Sequence, residues 1–296
     1  MIVSNPNTEE LTDVLRLVFA HLPEEEQSVR IDTILVQFGL GLIPLDGVFQ
    51  AKQDDRLVGA LFTQVQPDGS IFLRLPSASD VETHRELLVA FERYCQRTTP
   101  KLAVMLVDLQ QQVDQKTLEK YGGFEFQSDL VYLVGETKKV DVHNPTLEFV
   151  PMTTGDGLEF ERMVELVRET YQNSCDFPRL VGITPTNEVL RGYQRDSVFH
   201  PELWFFIRYG STEIGVLLLT DQSDDQMELI YMGLGKPYRG RGFAKEIVAK
   251  ALDTAKRWNR PLLLTAVDEQ NTAAIRAYLI QGFVAWDRKK VFARFF

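Results

Sequence analysis

Gly233-Leu234-Gly235-Lys236-Pro237-Tyr238-Arg239-Gly240-Arg241-Gly242-Phe243-Ala244 is the most informative stretch of the chain. It follows an apolar run, Met227–Leu234, that reads as a strand. It opens an amphipathic pattern over Ala244–Trp258 that reads as a helix. Glycines at such a junction let the backbone approach a ligand closely. The first amide groups of a helix lack intrahelical acceptors, and with the helix dipole they attract anions. Arg239 and Arg241 add positive charge, so a phosphate or pyrophosphate is the natural occupant. A surface charge pair is the plainer account of the two arginines. A dinucleotide glycine fingerprint fails, because its register ends at Tyr238 or at Lys245. A nucleoside-triphosphate loop also fails, because Gly235-Lys236 is followed by Pro237 and not by Ser or Thr.

Outward from this loop, the same order of elements occurs twice. The first half reads as helices over Glu9–Phe19 and Glu26–Phe38, then strands over Gly47–Lys52, Leu57–Gln66 and Ile71–Arg74. A helix over Val81–Arg97, a strand over Leu102–Val107, a short helix over Gln115–Tyr121 and a strand over Leu130–Val134 follow. The second half repeats this with a strand over Leu147–Val150, helices over Leu158–Thr170 and Val189–Arg195, and a hairpin of Leu203–Tyr209 with Glu213–Thr220. After the loop and its helix come a strand over Leu262–Val267 and a helix over Thr272–Ile280. Phe283–Asp287 and Val291–Phe295 read as closing strands. Val107-Asp108 before Gly123-Phe124 and Val267-Asp268 before Gly282-Phe283 mark the repeat locally. The expectation is an α/β fold of α+β mixed-sheet type, in two tandem domains over 1–145 and 146–296, with Asn144-Pro145 as boundary.

Composition sets the outer limits. The chain has 296 residues and a net charge of −10. Residues 1–145 hold 13 basic and 22 acidic side chains, while 146–296 hold 19 and 20, so the excess acid lies in the first half. An acidic chain is a poor nucleic-acid binder. No apolar run reaches the ~18–20 residues of a membrane helix, and the N-terminus has no signal-peptide pattern. Cys95 and Cys175 stand apart, which suits a reducing cytoplasm. Four scattered histidines give no metal-ligand spacing, so no metal is expected.

The segment Arg239-x-x-Gly242-x-Ala244 resembles the acyl-coenzyme-A pyrophosphate loop of the GNAT acyltransferase superfamily. Asn271, Ala274, Tyr278, Gly282 and Phe283 match that family's downstream pattern, and the likeness covers roughly residues 147–296. It implies a mixed, mostly antiparallel sheet flanked by helices, with acetyl-CoA or another acyl-CoA as co-substrate where two parallel strands splay. Met232, Gly233, Leu234, Arg239, Gly240, Arg241, Gly242, Phe243, Ala244 and Asn271 would then bind the cofactor, with a bulge near Gly233 and Gly235. The N–H near Met232 would polarise the thioester carbonyl. Tyr278 would protonate the departing thiolate, and Glu228 would act as base or orient water. Taken alone, Tyr278 also reads as a core tyrosine, Glu228 as a solvated strand residue and Asn271 as a helix N-cap.

The first-half counterpart of the loop, Leu75-Pro76-Ser77-Ala78-Ser79-Asp80, has no glycine or arginine and carries an acid, so this half reads as degenerate. The acceptor segment would be Tyr171–Arg179, where Asp176 could pair with an ammonium and Tyr171 could pack on the substrate; a structured loop capped by Asp176 is the plainer reading. The expected function is transfer of an acetyl group to a primary amine of a small molecule or peptide. A non-catalytic acyl-CoA-binding or interaction protein is the alternative. No nucleic-acid or membrane partner is expected, and a homodimer stays open. The acidic first half could also draw in a cationic amine.

Overall fold

A computed structural model describes residues 1–66, 68–137, 146–195, 198–223 and 225–296. The expected boundary at Asn144-Pro145, and the polar run Lys138–His143 before it, lie outside the described residues. In chain order the elements are β1 (Ile2–Ser4), α1 (Leu11–Val18), α2 (Glu24–Gly39), β2 (Val48–Gln53), β3 (Arg56–Val65), β4 (Ile71–Leu73) and β5 (Ser77–Ala78). Then come α3 (Val81–Thr98), β6 (Leu102–Asp108), α4 (Gln115–Gly122), β7 (Glu125–Glu136), β8 (Glu148–Pro151), α5 (Gly157–Tyr171) and α6 (Thr186–Arg195). The chain closes with β9 (Trp204–Tyr209), β10 (Thr212–Ser223), β11 (Gln226–Leu234), α7 (Phe243–Arg257), β12 (Leu262–Asp268), α8 (Thr272–Ile280) and β13 (Val284–Phe295). The fold is α/β with mixed sheet, as the periodicity implies. The short strands β1 and β5 escape a pattern reading because they are too brief to show alternation.

Two compact units form, Met1–Gln127 with Lys289–Phe296, and Ser128–Arg288. Compared with a division at 145/146, the units trade their last strands. Residues 128–136 of β7 pair with β12, from Asp268↔Leu130 to Leu262↔Glu136. Residues 289–295 of β13 pair with β6, from Lys289↔Asp108 to Phe295↔Leu102. The two closing strands expected from sequence are therefore one. Arg288-Lys289-Lys290 looks like a turn by polarity, but Lys289 stays in the ladder and its Nζ donates to Asp108 Oδ1 at 2.6 Å.

In the first unit the strand order is β1-β2-β3-β4-β6-β13. Only its β4–β6 pair is parallel among the described ladders. Leu87, Leu88, Phe91 and Tyr94 of α3 pack with Leu61, Leu73, Met105 and Phe124 in one core cluster. Leu11, Val14, Leu15 and Val18 of α1 build a second cluster with Ile31 and Ile34 of α2. In both helices the apolar residues recur every three to four positions, which is why one stripe of each is buried.

In the second unit the order is β7-β12-β11-β10-β9-β8. Here β11–β12 is the parallel pair. The run from Ile214 to Thr220 of β10 is buried without a break, so this strand needs cover on both faces. Phe160, Met163, Val164 and Val167 of α5 and Ile247, Val248, Ala251 and Leu252 of α7 supply it within one cluster that also holds Trp204.

Two glycines of this unit respond oppositely to the same change. A Cβ on Gly215 would sit 2.2 Å from the Gly233 carbonyl oxygen, a backbone atom that cannot turn away. A Cβ on Gly192, inside α6, would meet nothing within 4 Å. Gly215→Ala is expected to destabilise the unit by about 1–3 kcal/mol through overpacking. Gly192→Ala is expected to stabilise it by about 0.5–1 kcal/mol by lowering unfolded-chain entropy. Denaturant melts of the two variants check the opposite signs.

Candidate functional site

The loop after β11 has the geometry of an anion cradle. Lys236–Tyr238 make one 3-10 turn, closed by Tyr238 N–H to the Gly235 carbonyl at 2.9 Å. Gly240 and Gly242 have φ of 73° and 82°, a left-handed conformation that a side chain would strain. Nothing lies within 4 Å of where a Cβ would stand at either position. Gly242 is the N-cap of α7 and offers no side-chain cap. Lys245 N–H returns to the Gly242 carbonyl, while the amides of Gly240, Arg241, Gly242, Phe243 and Ala244 have no acceptor among the described residues. These donors at a helix start fit a pyrophosphate. Arg241 is exposed beside them, its guanidinium 5.4 Å from the Tyr238 ring centre.

Arg239 has a different place. Its Nε donates to the Leu234 carbonyl at 2.8 Å, and its two terminal nitrogens donate to the carbonyls of Asn173 (3.0 Å) and Thr170 (2.7 Å). Where the sequence reading gave this side chain a phosphate, the structure gives it three backbone oxygens.

The parallel ladder of β11 with β12 runs from Gln226↔Leu262 to Leu229↔Thr265 and stops there. Beyond Leu229 that edge of β11, through Ile230, Tyr231, Met232, Gly233 and Leu234, has no strand partner among the described ladders, and short of the Leu234 carbonyl, which Arg239 takes, its backbone groups could pair with an extended ligand. On the other edge β10 stays paired, with one irregularity. Leu219 faces Leu229 and Leu218 faces Tyr231, so Ile230 is an extra residue, a β-bulge. The bulge was expected near Gly233 and Gly235, yet Gly233 pairs regularly with Val216. Gly233 is needed for another reason: a Cβ there would lie 2.6 Å from Thr170 Oγ1 and 2.7 Å from Tyr231 Oη.

The bulge changes which side chains share a face. In an unbroken strand Glu228 and Tyr231 point to opposite sides. One inserted residue brings them to the same side. Tyr231 Oη lies 2.8 Å from Thr170 Oγ1 of α5, and its ring meets the Tyr171 ring edge-on at 5.4 Å. Glu228 accepts from Gln222 Nε2 at 2.6 Å, and burial raises its carboxyl above the usual range. Tyr193 of α6 completes the group; burial, then the neighbouring Tyr171, Tyr231, Asp176 and Glu228, push its phenol up. Burial pushes the Tyr171 phenol up to about 12. Every phenol here is a neutral donor at physiological pH.

Tyr278 sits on α8 with 3% of its surface exposed. Its hydroxyl lies beside Thr265, whose Oγ1 donates to the Leu229 carbonyl at 3.0 Å. Thr265 and Leu229 are the last parallel pair, so the phenol stands at the point of splay. Burial raises its pKa and keeps the proton in place. Asn271 N-caps α8, accepting from Ala274 N–H at 3.3 Å, and its side chain lies beside Asp176. Asp176 Oδ1 accepts Asp268 N–H at 2.9 Å, and Asp268 Oδ2 accepts Phe177 N–H at 2.9 Å. Asp176 thus pins its own loop to the end of β12, and burial raises its carboxyl.

Tyr193, Tyr231 and Thr265 are additions that the sequence reading missed. Thr265 carried a signal, a lone hydroxyl inside the apolar run Leu262–Val267. Tyr193 and Tyr231 carried none, since their facing depends on helix placement and on the bulge. In the first unit, the segment matching the loop holds β5, paired with β3, and then Asp80, which N-caps α3 by accepting Thr83 N–H at 2.8 Å. That hydrogen bond is the main cause holding the Asp80 carboxyl below its usual range.

Among the described residues, no helix is long and apolar enough to cross a membrane, and no group of three or more His, Cys, Asp or Glu could hold a metal. Residues 161–283 match the Acetyltransferase (GNAT) family model. No curated protein matches the chain. Among solved structures, a GCN5-related N-acetyltransferase from Sphaerobacter thermophilus superimposes over 99% of this chain and 95% of its own, with TM-score 0.62 and 16% identity. A functionally unknown conserved protein from Staphylococcus epidermidis does so over 83% and 93%, with TM-score 0.58 and 15% identity. A tandem GNAT protein from the clavulanic acid biosynthesis pathway covers 99% and 97%, with TM-score 0.55 and 12% identity. At these identities the structures speak for the fold, and the family model speaks for the domain: residues 161–283 are a GNAT acetyltransferase domain.

Proposed function

We propose that the chain is a cytoplasmic, acyl-CoA-dependent N-acetyltransferase acting on a primary amine of a small molecule or peptide, with its active centre in residues 128–288 and a first unit that has lost cofactor binding. The observation that carries this reading is the buried phenol of Tyr278 at the end of the β11–β12 ladder, in the same unit as the α7 amide cradle. The open edge of β11 from Met232 to Leu234 would hold an extended amide-bearing arm, and the amides of Gly240 to Ala244 with Arg241 would hold the pyrophosphate. Bound there, acyl-CoA supplies a thioester carbonyl and a thiolate leaving group.

The remaining work falls to this chain's own groups. Tyr278 keeps its proton because burial disfavours the phenolate, so it can donate toward sulfur. The amide near Met232 can donate to a carbonyl oxygen where negative charge develops. Glu228 takes the proton of the attacking amine, directly or through water. Tyr171 and Asp176 face the acceptor. Asp176 contributes negative field more than free oxygens, since Asp268 N–H already engages it. For the first unit, the support is that Asp80 fills the start of α3 with its own carboxylate.

Coenzyme A release measured over a panel of small primary amines and short peptides tests the reading. Turnover with at least one amine is expected; acetyl-CoA binding without turnover on any amine supports a binding protein instead. Tyr278→Phe is expected to lower acyl transfer about 100-fold or more, while acetyl-CoA affinity by calorimetry stays near wild type. Unchanged turnover removes the acid role.

Glu228 gives a pH signature. A base must be ionised, so kcat rises with pH through its pKa. Burial raises that pKa, so the limb lies above the ordinary carboxylate range. Glu228→Gln is expected to flatten this limb in kcat–pH profiles. A limb that persists in the variant assigns the base elsewhere.

A further inference from the structure

Arg239 joins two loops that the chain separates by more than sixty residues. Its backbone belongs to the turn between β11 and α7, next to the open amides at Gly240 to Ala244. Its guanidinium reaches the carbonyls of Thr170, in the last turn of α5, and Asn173, in the loop that follows. Helix C-terminal carbonyls lack intrahelical donors and carry the negative end of the dipole, so a planar cation with several donors suits them. Asn173 has φ of 52°, so this oxygen is presented by an otherwise disfavoured backbone. The third donor holds Leu234, where β11 ends. Three residues beyond Asn173 comes Asp176, which the end of β12 fastens. The acceptor loop is thus held at one end by Asp268 and at the other by an arginine whose own backbone lies in the cofactor loop.

We infer that Arg239 is a positioning residue that couples the two substrates: acyl-CoA seated on the α7 amides fixes the Arg239 backbone, and its guanidinium then fixes the acceptor loop 172–178. Acyl-CoA would therefore order the acceptor site before the amine arrives. The inference rests on the proposed acyl-CoA site. It goes beyond that site by taking the arginine side chain away from the phosphates and giving it to the acceptor side.

Amide hydrogen exchange on the full chain, with and without acetyl-CoA, tests this without knowing the amine. In wild type, acetyl-CoA is expected to slow exchange both at 240–244 and at 172–178. In Arg239→Gln, binding within about threefold of wild type is expected, with protection at 172–178 reduced about tenfold or more, a loss within the range of ordinary coupling energies. Arg239→Lys separates the two roles of the charge. A single ammonium cannot span three carbonyls, so it is expected to leave the coupling broken; if the side chain instead served the phosphates, lysine would rescue affinity lost in the glutamine variant. Protection at 240–244 in wild type with no change at 172–178 overturns the inference alone, and needs no variant to fold. Failure of acetyl-CoA to bind wild type overturns the acyl-CoA reading itself.

Discussion

A buried carboxylate at the end of β12 is the constraint around which the second unit is arranged. Asp268 is 1% exposed. Taking an ionised carboxylate out of water is costly unless hydrogen-bond donors replace the solvent. Three donors do so within one unit. Oδ1 accepts from Ser128 Oγ at 2.5 Å and Gln270 N–H at 2.8 Å, Oδ2 accepts from Phe177 N–H at 2.9 Å, and the residue's own N–H is spent on Asp176. The donors come from three places: the start of the β7 ladder, the entry to α8 and the loop after α5. Each is therefore fixed relative to the others by one charge. Entry to α8 sets where Tyr278 stands, and the loop after α5 follows Tyr171 and carries Asp176. Replacing that charge by a group that draws no donors would release all three together.

The same device recurs in the first unit with other partners. Asp108 ends β6 as Asp268 ends β12. Its Oδ2 lies 3.0 Å from His21 Nε2, in the loop between α1 and α2, and its Oδ1 accepts from Lys289 Nζ. In both units the strand-end aspartate fastens the loop between the first two helices, once through a backbone amide and once through a side chain. The repeated Val-Asp of the sequence thus has a physical cause: a buried strand that ends on a carboxylate needs donors, and that helix-linking loop is the neighbour that provides them. The chemistry around the two carboxylates has diverged. Asp268 stands with Asp176, Asn271 and the phenols, while Asp108 is met by a histidine and a lysine.

This comparison also separates what the sequence can and cannot reveal. Periodicity located nearly every helix and strand within a few residues, because each buries one stripe or one alternating face whatever lies opposite. The glycines and arginines of the α7 entry were readable because left-handed backbone and a helix start are local demands. Non-local facts were silent. The bulge at Ile230 is a matter of register between β10 and β11, and neither strand marks it by glycine or proline. The direction of the Arg239 side chain depends on α5 ending within its reach. The trade of strands β7 and β13 depends on pairing, and the polar run Arg288-Lys289-Lys290 even argued against a continuous β13. Tyr193 gained significance only when α6 brought it near Glu228 and Tyr231.

The bulge and the end of the parallel ladder act on adjacent residues of one strand, and their combination brings an open edge and a group of polar side chains together. Leu229 is the last residue of β11 to pair with β12, and Ile230 is the inserted one. Ending the ladder alone would free an edge of backbone but leave Glu228 and Tyr231 on opposite faces. Inserting a residue alone would gather those side chains against α5 and α6 but leave no open edge beside them. With both, free backbone groups for an extended ligand begin where the acidic and phenolic side chains converge. Tyr278 reaches the same spot from α8 through Thr265, whose hydroxyl bonds the Leu229 carbonyl at 3.0 Å. Thr265 belongs to that last paired position, so the Tyr278 phenol is registered to the end of the ladder itself. A shift of one residue between β11 and β12 would therefore move the phenol, the free edge and the carboxylate relative to each other at once. A run of mixed polarity such as Glu228-Leu229-Ile230-Tyr231-Met232 is held in this one register by the core that surrounds it.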